Sequence, residues 1–177
     1  MVSQKKSVAV ITSSPALSSI ISMVLGREEA LRTQQFKGID SLVSHMRILP
    51  VDLIVSDYKL ENRTAPGLVA MLRKTLPRRR YQLIVLSDHM DREVKLSCRF
   101  AGVDEVIIKP MSPLFLKERV VARLETGESQ TSANWRTPHA SCSHPSKDTV
   151  AYSGNVIPLF GTSNNPDQRS GDSLHPA

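Results

Sequence analysis

The chain has 177 residues, with 23 Lys and Arg against 17 Asp and Glu, for a formal charge of +6. That length fits one ordinary domain plus an extension, and the absence of any run of about 18 apolar residues argues against a membrane-spanning helix. The charge is uneven: residues 1–124 carry +8 and residues 125–177 carry −2. A basic domain can meet nucleic acid or an acidic partner, or can simply present a solvated surface. The sharpest basic cluster, Arg78-Arg-Arg80, follows Pro77 and reads as a hydrated loop between a helix and a strand. No DNA-reading motif accompanies the charge, so direct DNA binding is not expected. Lys5 and Lys6 precede Val8-Ala-Val-Ile11, but that apolar stretch is too short for a signal-peptide core. Cys98 and Cys142 make no disulfide framework. A cytoplasmic protein is expected.

In chain order, Val8–Ile11 predicts the first strand. Ser14-Pro15 opens a helix, with Ser14 as N-cap and Pro15 at the first helical position. Leu17, Ile20, Ile21, Val24 and Leu25 then mark its apolar face. A weaker strand lies near Leu31–Phe36. It is followed by a helix with Asp40 near its start and Leu42, Val43 and Met46 inward. Asp52-Leu-Ile-Val-Ser-Asp57 is a strand buried on both faces that ends on an acid. The third helix carries Leu68, Val69, Met71 and Leu72, and Tyr81–Leu86 is the fourth strand. Asp91 caps a fourth helix that stops at Ala101-Gly102. Val103–Ile108 is the fifth strand, and Ser112-Pro113 opens the last helix, with Leu114, Leu116, Val120, Val121 and Leu124 apolar.

Five strands alternating with five helices predict an α/β fold, flavodoxin-like, with a five-stranded parallel sheet covered by helices on both faces. Sites in such sheets form beyond the carboxyl ends of the strands. Those ends hold Thr12 and Ser13, Asp57, Ser87, and Lys109-Pro110. The predicted domain spans residues 1–125. Residues 126–177 are rich in Ser, Thr, Pro and Asn and read as a disordered tail. Within it, Val156-Ile-Pro-Leu-Phe160 is either a short docking motif or a segment resting on the domain. His139, Cys142 and His144 match no closed zinc set.

Three pieces, in order and correctly spaced, resemble the receiver domain of bacterial two-component response regulators: Val51-Asp-Leu-Ile-Val-Ser-Asp57, Leu83-Ile-Val-Leu-Ser87 and Ala101-Gly-Val-Asp-Glu-Val-Ile-Ile-Lys-Pro110. The resemblance covers about residues 5–124. It implies that Asp57 accepts a phosphoryl group from a histidine kinase or histidine phosphotransfer protein in a phosphorelay. It makes Ser87 the supporting hydroxyl and Lys109 the lysine that pairs with the phosphoryl oxygens. It also makes the Lys109–Pro110 bond a candidate for cis geometry. Signalling would then pass to a downstream protein through the face made by helix four, strand five and helix five, or through the tail. No enzyme activity beyond self-phosphorylation from a phosphohistidine donor is expected.

The sequence also departs from that pattern. Two acids that hold Mg²⁺ in the family are replaced by Thr12 and Ser13, leaving Asp57 as the obvious anionic ligand. Hydroxyls bind a hard dication weakly, so Mg²⁺ is expected to bind weakly if it binds. Val106 stands where an aromatic usually reports phosphorylation. Glu61 replaces the usual Pro after the acceptor, and Gly67 lies two residues late, so the loop after Asp57 is longer. Lys59, two residues past Asp57, either takes the place of the missing metal or faces solvent. Glu61 is a displaced acid that can stand in weakly for the lost pair. An alternative is a receiver-like interaction module that works without phosphorylation. Other uses of such a sheet find less support: there is no GxGxxG or Walker loop, and a dehalogenase-like phosphatase would want an acid where Lys59 stands.

Overall fold

The computed structural model describes residues 5–129 and the backbone of Val156–Pro158. The strands are β1 (Lys6–Ile11), β2 (Leu31–Gln35), β3 (Leu53–Asp57), β4 (Gln82–Ser87) and β5 (Glu105–Ile108), with β6 (Val156–Pro158) following much later in the chain. The helices are α1 (Pro15–Leu25), α2 (Ile39–Ile48), α3 (Ala65–Thr75), α4 (Arg92–Ala101) and α5 (Pro113–Ser129). The sheet runs β2-β1-β3-β4-β5-β6. The first five strands pair in parallel, as expected, and β6 adds antiparallel to β5.

Side chains of a strand alternate between faces, and the core divides accordingly. Ala9, Ile11, Ile54, Leu83, Val85 and Val106 pack with residues of α2, α3 and α4. Val8, Val10, Leu53, Val55, Ile84, Leu86 and Ile107 pack with residues of α1 and α5. Both faces are dry, which is why these strands read as unbroken Val, Ile and Leu. Two acids pin strand starts: Asp52 Oδ2 accepts the Ser7 N–H at 2.7 Å, and Asp104 Oδ2 accepts the Leu83 N–H at 2.7 Å. Burial raises the Asp104 carboxyl above its ordinary range against the opposing pull of the Leu83 N–H.

The helix caps follow the sequence. Ser14 caps α1 by accepting the Leu17 N–H, and Asp91 caps α4 by accepting the Val94 N–H at 2.7 Å. Two inward assignments differ. Ile20 and Leu114 are exposed. The buried line on α1 runs through Ser18, Ile21 and Leu25, and on α5 through Leu116, Val120 and Leu124. Each helix has more apolar residues than its buried stripe can seat, and the sheet selects the stripe. Helix α5 also runs past the expected boundary at residue 125, to Ser129. Part of the expected docking segment, Val156–Pro158, is strand β6. The rest of the tail reading, with His139, Cys142 and His144, lies outside the described residues.

Gly102 ends α4 in the left-handed region, at φ 78°, with its N–H donating to Arg99 O and the Val103 N–H to Cys98 O. A Cβ there would also meet the Arg73 guanidinium. Gly102→Ala should therefore lower stability by about 1–2 kcal/mol. Urea titration should read this as a lower midpoint at unchanged slope.

Candidate functional site

Asp57, Ser87 and Lys109 end β3, β4 and the segment leaving β5, three neighbours in the sheet. Alternation puts Asp57 on the side of Leu53 and Val55, and Lys109 on the side of Ile107, so both project toward the α1 and α5 face. Their side chains meet there. Lys109 Nζ lies 3.3 Å from Asp57 Oδ1 and 3.1 Å from Asp88 Oδ1. Partial burial pulls the Lys109 ammonium toward neutrality, but the Asp88 hydrogen bond and the Asp57 charge outweigh it, and its pKa is raised. The Lys109–Pro110 peptide is cis.

Asp57 is only 2% exposed. Its second oxygen, Oδ2, is held from the β1 end: the Ser13 N–H and the Ser13 hydroxyl each donate to it at 2.8 Å. Ser13 itself is exposed, so it caps the carboxylate from the solvent side. The sequence reading makes Ser13 a weak substitute for a metal ligand; the structure makes it a two-point donor to the acid. Thr12 does not join it, because its hydroxyl donates to Ser14 O at 2.9 Å. The Ser87 hydroxyl donates to His89 O at 2.7 Å rather than to Asp57.

Lys59 is exposed and has no hydrogen bond or ion pair to Asp57. It instead begins a small backbone hairpin. Lys59 bridges Thr64, and Leu60 and Arg63 exchange hydrogen bonds across the tip. Glu61 sits on this hairpin, beside a cleft of about 340 Å³ that Ser13, Lys37, Asp40 and Arg63 also line. Asp57 is closed off behind Ser13 and does not line the cleft. Asp88 was not singled out in the sequence. The available signal was an acid directly after the strand-ending Ser87, within reach of any lysine aimed at Asp57.

Mg²⁺ needs several oxygen ligands at near-octahedral angles. Here the buried acid at the strand ends already accepts two hydrogen bonds on one oxygen and faces an ammonium on the other. Among the described residues, no three of His, Cys, Asp and Glu are grouped to hold a metal ion. The donor set fits Mg²⁺ poorly.

No family model matches the chain, and no curated protein does. Solved structures do match. The BeF3-activated receiver domain of DrrB, from Thermotoga maritima, is 23% identical with a TM-score of 0.59, over 69% of this chain and 99% of that one. A CheY-like response regulator receiver domain from Methanospirillum hungatei is 19% identical with a TM-score of 0.64, over 72% and 99%. The signal receiver domain of an HD domain-containing protein from Pseudomonas fluorescens is 16% identical with a TM-score of 0.63, over 71% and 99%. The chain has the receiver fold. In this fold Asp57 and Lys109 meet at the strand ends, and Ser13 at the end of β1 holds the second Asp57 oxygen. No helix among the described residues is long and apolar enough to cross a membrane.

Proposed function

We propose that the chain is an atypical single-domain response regulator in which Asp57 accepts a phosphoryl group from a phosphohistidine on a kinase or phosphotransfer protein. The observation that carries this reading is the Lys109 ammonium 3.3 Å from the buried Asp57 carboxylate at the strand ends of a receiver fold. Phosphoryl transfer depends mostly on positioning and on cancelling charge. An Asp57 oxygen attacks phosphorus, the bond from phosphorus to the donor histidine nitrogen breaks, and an acyl phosphate remains. Lys109 is placed to neutralise the added oxygens. The Ser13 N–H and hydroxyl, released from Oδ2, become donors to them. The Ser87 hydroxyl joins by turning away from His89. The signal then passes by protein–protein contact, through the α4–β5–α5 face or the tail, in the cytoplasm.

One observation favours a second reading. Ser13 and Lys109 together engage both oxygens of Asp57 without any phosphoryl group. A site satisfied in this way is also what a phosphorylation-independent docking module would have. Buried Val106, in place of an aromatic that could swing, fits the same reading. Treatment with acetyl phosphate, read by intact mass with Asp57→Asn as the control that must stay unmodified, separates the two.

A further inference from the structure

An edge strand leaves a row of unpaired N–H and C=O groups that another extended segment can join. In this chain β5 would be that edge, and β6 covers it. The register is Glu105 with Pro158, Val106 with Ile157 and Ile107 with Val156. The Lys109 N–H donates to Ser87 O in β4. Because backbone groups alternate sides along a strand, Glu105 and Ile107 also face β4, and Val106 faces β6. The pairing therefore turns on Val106 and Ile157, which exchange backbone hydrogen bonds. Pro158 lies opposite Glu105, whose backbone points the other way, so its missing N–H removes nothing from the ladder. Proline is tolerated in a strand at such a position.

We propose that the β5 edge is a strand-docking site and that the chain's own Val156–Pro158 occupies it in cis as a removable cap. Twenty-six residues separate Ser129 from Val156. Fully extended they would reach about 90 Å, so the connection does not force this pairing. What favours the cis strand is its effective concentration, on the order of millimolar for a tethered segment, against micromolar protein. A pairing centred on one residue pair is also weak enough to open. The tail and the α4–β5–α5 face are then one surface, and a partner strand longer than three residues pairs with β5 by displacing β6. This holds whether or not Asp57 is ever phosphorylated.

The test is amide hydrogen exchange on the full chain and on its Ile157→Pro variant, which removes the central N–H of β6 and leaves the domain intact. Exchange at Val106 should be at least about tenfold faster in the variant, while the Val85 amide, inside the sheet, stays unchanged. A synthetic peptide of residues 153–161, added to the variant at millimolar concentration, should restore the Val106 protection. Equal Val106 exchange in the two chains, or no restoration by peptide, would overturn the docking site. Protection that disappears on dilution together with a dimer in sedimentation would overturn the cis assignment, because the strand would then come from a second copy.

Discussion

Glu105→Ala should lower the unfolding free energy by about 3–5 kcal/mol, the usual cost of removing one partner from a buried charge cluster. Glu105 is fully buried at the start of β5. Arg119 Nε donates to Oε1 at 2.7 Å, Arg119 Nη2 to Oε2 at 3.0 Å and Arg123 Nε to Oε2 at 2.6 Å. Arg123 also donates to Asp104 O at 2.9 Å, so the two guanidiniums hold α5 against the beginning of β5. Alanine would take the buried carboxylate away from both guanidiniums and open a cavity beneath them. Urea unfolding is the measurement. A loss below about 1 kcal/mol would mean that the cluster behaves like an exposed ion pair, and that α5 is held by its apolar stripe alone. Glu105→Gln keeps the shape and removes only the charge, so it should cost less than the alanine.

Thr12→Asp combined with Ser13→Asp should raise Mg²⁺ affinity by at least about tenfold, an effect that even outer partners of a metal ligand can carry. The substitutions place carboxylates at the end of β1 beside Asp57 and remove the Ser13 hydroxyl from Oδ2, leaving its backbone N–H in place. Without Mg²⁺ the double variant should be less stable than the parent chain, because like charges crowd a buried acid. With Mg²⁺ it should regain stability by mass action, and the parent should shift little. Thermal unfolding with and without the ion reads both effects. Equal Mg²⁺ response in the two chains would contradict the expectation that acids at the end of β1 complete a cation site with Asp57.

The strand core was legible because strands buried on both faces write themselves as runs of Val, Ile and Leu, and the caps at Ser14, Asp91 and Gly102 carry local chemistry that context did not override. Which apolar residue faces inward was less legible. Ile20 and Leu114 fit the helical spacing as well as their neighbours do, and only the position of the sheet decides against them. Strand β6 was legible as an apolar island but not as a strand, since a three-residue pairing depends on a backbone edge that sequence does not display. At the site, Asp57 and Lys109 meet at the strand ends, and the bond before Pro110 is cis, as the resemblance led one to expect. The change at Ser13 looked like a loss from sequence, and geometry turns it into a clasp on Oδ2. Asp88 and the cluster of Glu105 with Arg119 and Arg123 were missed because their partners are distant in sequence or come from another element.

The most direct test of the account is whether Asp57 takes a phosphoryl group. The full chain, incubated with acetyl phosphate or with a phosphorylated histidine phosphotransfer domain, is measured by intact mass and then by peptide mapping. A gain of one phosphoryl group is expected, located on Asp57 and absent from Asp57→Asn. An unchanged mass with both donors, or a phosphoryl group that persists in Asp57→Asn, would contradict it.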